Sequence, residues 1–242
     1  MRGLLPGYPR GQLGDAGAAV SQTMAVVPAA PALIPGIARG VPPELDRVLV
    51  ACDHVLSEVV RSHDEVVLVA AVDVPRDLLP DAGLSLGAGL PSGEAQPREE
   101  GPPPGLKDQP VTGWRVGDSL LDRVGFGGVR LRVQPGAAPR PGAALVFLAD
   151  GSAAAGPKPP RPSEQGDDFD RSLADALRSG DSEFLAALDD TTAARVGCTT
   201  AAVWRDLARH VGPERACADL TIAAPFGVTY FAGLWDNRTT RQ

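Results

Sequence analysis

An apolar strand over Ala143–Leu148 ends in Ala149-Asp150-Gly151-Ser152. A carboxylate and a hydroxyl at a strand end stand where α/β proteins bind ligands, outside the carboxyl edge of the sheet. A non-metal enzyme would draw on this pair, with Ser152 as the nucleophile. No GxSxG elbow surrounds Ser152, and no histidine can be placed beside it from sequence. Asp-Gly-Ser is also good turn chemistry, since Gly frees the backbone and Asp supplies a local acceptor. Both roles, turn and ligand-facing loop, stay open. A second candidate is Tyr230, in the aromatic-rich segment Ala224–Trp235. Strand periodicity puts Tyr230 on one face and Phe231 and Trp235 on the other, so Tyr230 either packs in the core or lines a pocket.

Other candidates have simple structural explanations. Asp167, Asp168 and Asp170 open a helix, where acidic side chains offset the dipole and cap free amides. Lys158, in a Pro-rich loop, could meet an anion but reads equally as a solvated charge. The three histidines, His54, His63 and His210, show no metal-ligand spacing. His54 falls on the polar side of a helix, and His63 and His210 fall at helix ends. No phosphate-binding loop is present, because Gly125-Phe126-Gly127-Gly128 precedes a strand rather than a helix.

Elements must position these groups, and the composition allows a real core. The 242 residues are 43% hydrophobic and 22% charged, with only 5% aromatic, so Ala, Val and Leu build the interior. Gly 28 and Pro 24 point to long loops. The net charge of −7, without a basic face, argues against nucleic acid as a partner. No apolar run approaches the ~20 residues of a membrane span. The N-terminus lacks the apolar stretch of a secretory signal. Cys52, Cys198 and Cys217 are odd in number and lack CxxC spacing, which fits reduced thiols in a cytoplasm.

Residues 1–23 are expected to be a disordered tail, or to precede the natural start at Met24. A first strand covers Met24–Val27. Pro42-Pro43 opens a helix whose inward face carries Leu45, Val48, Leu49, Cys52, Val55, Leu56, Val59 and Val60. Glu65–Val72 is a buried strand. Residues 73–112 read as loop, with a flexible Pro/Gly-rich insertion at about 80–110. A short helix near Val116–Arg123 and an exposed strand over Gly127–Val133 follow. Helices are then expected around Phe169–Leu177, Phe184–Leu188 and Val203–Val211. The last strands cover Ala216–Ala223 and Val228–Leu234, before a tail at 237–242. Strands alternating with helices predict one domain over 24–236: a three-layer α/β/α fold with a central mixed, largely parallel sheet.

Four segments, in chain order, resemble the class III extradiol ring-cleavage dioxygenase (LigB-like) superfamily, in a bacterial branch. They are VVPAAPALIP at Val26–Pro35, ADGS at Ala149–Ser152, the helix FDRSLADALRSGD at Phe169–Asp181, and APFGVTYF leading to Trp235. The resemblance implies a three-layer α/β fold. Active members hold Fe(II) by two histidines and a carboxylate, with a further histidine as acid/base, and cleave catecholic rings with O₂. The family's metal-histidine positions match Ala29-Ala30 and Asp73-Val74-Pro75 here, and Ala153-Ala154 follows the DGS turn. Asp73 and Asp150 are then the remaining strand-end carboxylates, a pair better suited to Mg²⁺ or Ca²⁺ than to Fe(II).

The residues themselves call for no cofactor and no metal site; Fe(II) would follow only from retained family activity. The expected protein is LigB-like without its iron site, with a vestigial cleft near Asp73, Asp150, Ser152 and Tyr230. That cleft would take a small molecule or a protein partner. The alternative is an active extradiol-type oxidoreductase with an atypical metal site. A non-metal enzyme using Asp150 and Ser152, and a structural or homo-oligomeric module, complete the set.

Overall fold

The computed structural model describes residues 22–37, 42–72, 112–138, 140–155, 159–160, 163–217 and 219–235. Six strands make one sheet: β1 (Met24–Val27), β2 (Glu65–Ala70), β3 (Val129–Val133), β4 (Ala144–Leu148), β5 (Asp219–Ala223) and β6 (Tyr230–Trp235). Their order is β3-β2-β4-β1-β6-β5. The block β3, β2, β4 and β1 is parallel, and β6 pairs antiparallel with both β1 and β5. The expected mixed, largely parallel sheet is therefore present.

The central strands are the continuous apolar ones. MAVV and ALVFL are buried at every position, because helices cover both faces. One face carries α1 (Pro43–Arg61) and α2 (Thr112–Arg123) over Ala25, Val27, Val66, Leu68, Val146 and Leu148. The other carries α3 (Gly166–Ser179), α4 (Ser182–Ala186), α5 (Asp190–Val196) and α6 (Ala201–Leu207) over Val26, Val67, Val69, Leu145 and Phe147. These are the three layers of an α/β/α fold. Among the described residues no helix is long and apolar enough to cross a membrane.

Side-chain periodicity decides which helix meets which strand. In α1, Leu45, Val48, Cys52, Val55, Leu56 and Val59 form the buried face. Burying each Val or Leu stabilises the fold by about 1.5–3 kcal/mol. In α2, Gly113 and Gly117 face the sheet, one turn apart. A Cβ on Gly113 would lie 2.8 Å from Ala70 Cβ, so only glycine lets this helix approach so closely. Strand β3, VRLRV, is an edge strand. Leu131 and Val133 pack on the core, while Arg130 and Arg132 pair with Asp118 of α2. Charge on an edge strand opposes pairing with other chains.

Several boundaries shift from the sequence expectation. Strand β2 stops at Ala70 rather than Val72, and α2 begins at Thr112 rather than Val116. Helix α6 ends at Leu207, short of Val211. Helix α5 was not expected. It is seven residues long, capped by the Asp189 carboxylate, which accepts the Thr192 N–H at 2.8 Å. Residues 1–21 and 237–242 of the expected tails, the insertion at about 80–110, Asp73 and Lys158 lie outside the described residues. Gln22 and Thr23 of the expected N-terminal tail are instead tied to the sheet: Gln22 Nε2 donates to the Ala143 carbonyl at 2.9 Å, and the Leu145 N–H donates to the Thr23 carbonyl at 3.1 Å.

Candidate functional site

Strands β1 and β4 are neighbours, yet the chain leaves them toward opposite faces. After β1 it passes to α1; after β4 it passes to α3 on the other side. In doubly wound sheets ligands bind at such a switch point, outside the carboxyl edge of the strands. Asp150 stands there. The backbone ladder continues through the Ala149 N–H, which donates to Val27 O at 3.0 Å. One residue further the side chain takes over, and the Ala29 N–H donates to Asp150 Oδ1 at 3.1 Å.

The main chain of Asp150 is held from the α6 side. Its N–H donates to Thr200 Oγ1 at 3.0 Å, and its carbonyl accepts from Thr200 Oγ1 and Trp204 Nε1, each at 2.9 Å. Trp204 in turn meets Phe231 edge to face, with ring centroids 5.6 Å apart. Across the sheet, Asp150 forms an isolated antiparallel bridge with Tyr230. Residues opposite each other in an antiparallel pair project to the same face. Tyr230 belongs to the core cluster under α1 and α2, so the Asp150 carboxyl shares that side.

The electrostatics follow from this placement. Burial pushes the Asp150 carboxyl up to about 7, and the Ala29 N–H pulls it back only in part. The residue nonetheless keeps part of its surface exposed. Tyr230 is 3% exposed, and burial, then the Asp150 charge, raise its phenol above the ordinary range. Among the described residues Asp150 Oδ2 and the Tyr230 hydroxyl make no hydrogen bond, and neither is a fully buried unpartnered atom.

Ser152 belongs to the opposite side of the turn. It is fully buried, its hydroxyl donates to Asp170 Oδ2 at 2.6 Å, and it accepts the Ala154 N–H at 3.3 Å. Asp170 also takes the Ser152 N–H at 2.7 Å and the Thr229 hydroxyl at 2.5 Å. Gly151 makes this possible: a Cβ there would lie 2.5 Å from Asp170 Oδ1 and 2.7 Å from Phe231 Cε2. The structure therefore brings Asp150 and Tyr230 together and sets Ser152 apart as a fully buried brace bonded to the Asp170 carboxylate.

Asp170 departs from its expected role. Asp167 and Asp168 are exposed in the first turn of α3, as helix-start carboxylates should be. Asp170 turns inward and ties α3 to the strand-end turn and to Thr229. Its position directly after the buried Phe169 was the available sequence signal. Thr200, Trp204 and Thr229 had none, because their partners lie about fifty or more residues away.

The histidines are placed as the sequence suggested. His54 is exposed on α1. His63 Nδ1 bonds the Val59 carbonyl at 3.1 Å at the far end of that helix. His210 follows α6 and stacks, tilted, on Phe147, with burial lowering its pKa. Among the described residues no group of three His, Cys, Asp or Glu side chains could hold a metal ion. The three cysteines are buried and unpaired, and burial pushes Cys198 up to about 11 and the other two higher, which makes them poor nucleophiles.

A separate groove of about 380 Å³ lies on the helical face, between α3 and the α4–α5 pair, lined by Phe169, Phe184, Leu188 and Val196 among others. It is apolar and open, and it holds no buried titratable group, so the crevice is the stronger candidate for chemistry. No family model matches this chain, and no curated protein matches it either.

Proposed function

We propose that this chain is a LigB-like α/β protein without a working iron centre, whose crevice between β1 and β4 binds a small organic molecule. The observation that carries this is Asp150: a buried carboxyl held above the usual carboxylate range, at the switch point of a doubly covered sheet. Keeping such a group costs stability, which favours a use for it.

The family's iron chemistry needs two histidines and a carboxylate around one ion. This chain has three histidines, and among the described residues no group of three His, Cys, Asp or Glu side chains could hold a metal ion. The donor set therefore does not fit Fe(II), and no oxygen chemistry is assigned to the crevice. Three buried unpaired thiols support a reducing, cytoplasmic setting.

Amide chemical-shift mapping with a cocktail of small neutral fragments tests the location. Perturbation of Ala29, Gly151 and Tyr230 is expected. Perturbation confined to Phe169, Phe184 and Leu188 would move the site to the helical groove.

A further inference from the structure

Asp150 and Tyr230 project from opposed positions of an antiparallel bridge onto one face. Their Cβ atoms are then about 5 Å apart, the spacing of a cross-strand pair. One is an acceptor and the other a donor. Asp150 Oδ1 is occupied by the Ala29 N–H, while Oδ2 and the Tyr230 hydroxyl have no partner among the described residues. A tyrosine this buried ordinarily finds a partner for its hydroxyl. The charge around the pair is also informative. Burial and the Ala29 amide act on Asp150, and among the described residues no cationic side chain contributes.

From this juxtaposition we propose that Asp150 and Tyr230 form a two-point clamp for a neutral ligand carrying an N–H or O–H donor next to a carbonyl-type acceptor, such as a cyclic amide or a hydroxy-ketone. Asp150 takes the ligand's donor hydrogen, and the Tyr230 hydroxyl donates to its acceptor. An anionic ligand would face the carboxylate with no described cation to offset it. A simple ammonium would leave the tyrosine hydrogen without an acceptor.

The inference rests on the crevice reading above, and three probes of one size separate the two. In amide-shift titrations, 2-pyridone offers donor and acceptor, N-methyl-2-pyridone only the acceptor, and benzoate a charge. The clamp predicts that 2-pyridone shifts Ala29 and Gly151 and binds about tenfold or more tightly than either other probe. Tyr230→Phe, which keeps the ring, and Asp150→Asn, which keeps an acceptor for Ala29, should each weaken 2-pyridone about two- to tenfold. Equal binding of all three probes at these amides would overturn the clamp and leave the crevice standing. Shifts only elsewhere, or none, would overturn both.

Discussion

Replacing Asp150 by Asn should make the protein more stable, and increasingly so as pH rises. Asn keeps an oxygen for the Ala29 N–H and removes the ionisable group. In the wild type, burial raises the carboxyl from 3.8 to about 7. The folded state thus holds this proton longer than the unfolded chain does. Its stabilising contribution is full below about pH 4 and is lost as pH rises through about 7. A shift of about three pKa units corresponds to about 4 kcal/mol at about 1.4 kcal/mol each. Water at the crevice screens part of it, which leaves about 2–3 kcal/mol developing between pH 4.5 and pH 8. For a chain of this size each kcal/mol moves Tm by about 2–4 °C, so the advantage of the variant should grow by about 4–12 °C. Thermal unfolding of both proteins at pH 4.5, 6 and 8 reads the difference, in which all other titrating groups cancel. A difference that stays constant across the series would refute the placement of a buried, raised carboxyl at this position.

Other substitutions probe the brace behind the crevice. Gly151→Ala puts a methyl against Asp170 and Phe231 and should cost more than about 2 kcal/mol, read by urea unfolding. Asp170→Ala strands the Ser152 and Thr229 hydroxyls and the Ser152 amide; a loss of about 3 kcal/mol or more is expected. Ser152→Ala should lower stability by about 1–3 kcal/mol while 2-pyridone binding is unchanged, because its hydroxyl faces Asp170 rather than the ligand. Loss of binding without loss of stability would return Ser152 to the site.

Fold class was legible where burial imposes a strong pattern. Continuous apolar runs such as ALVFL read correctly as strands covered on both faces. The alternation of Tyr230 against Phe231 and Trp235 assigned them correctly to opposite core clusters. Helix α5 escaped because only Ala193 and Val196 of its seven residues are buried, too few to set a helical period. The site was half legible. Asp150 and Tyr230 could be named from strand ends and composition, but their pairing across the sheet could not. Ser152 and Asp170 looked like a loop nucleophile and a helix-start charge. Their mutual bond depends on α3 folding back onto the turn, and no local pattern encodes it.

The central claim is that this crevice serves a small molecule without iron. Anaerobic calorimetric titration with Fe(II), followed by addition of catechol and oxygen, tests it most directly. The account predicts no stoichiometric iron binding and no oxygen uptake. One equivalent of Fe(II) per chain, with oxygen consumed as the catechol ring opens, would contradict it.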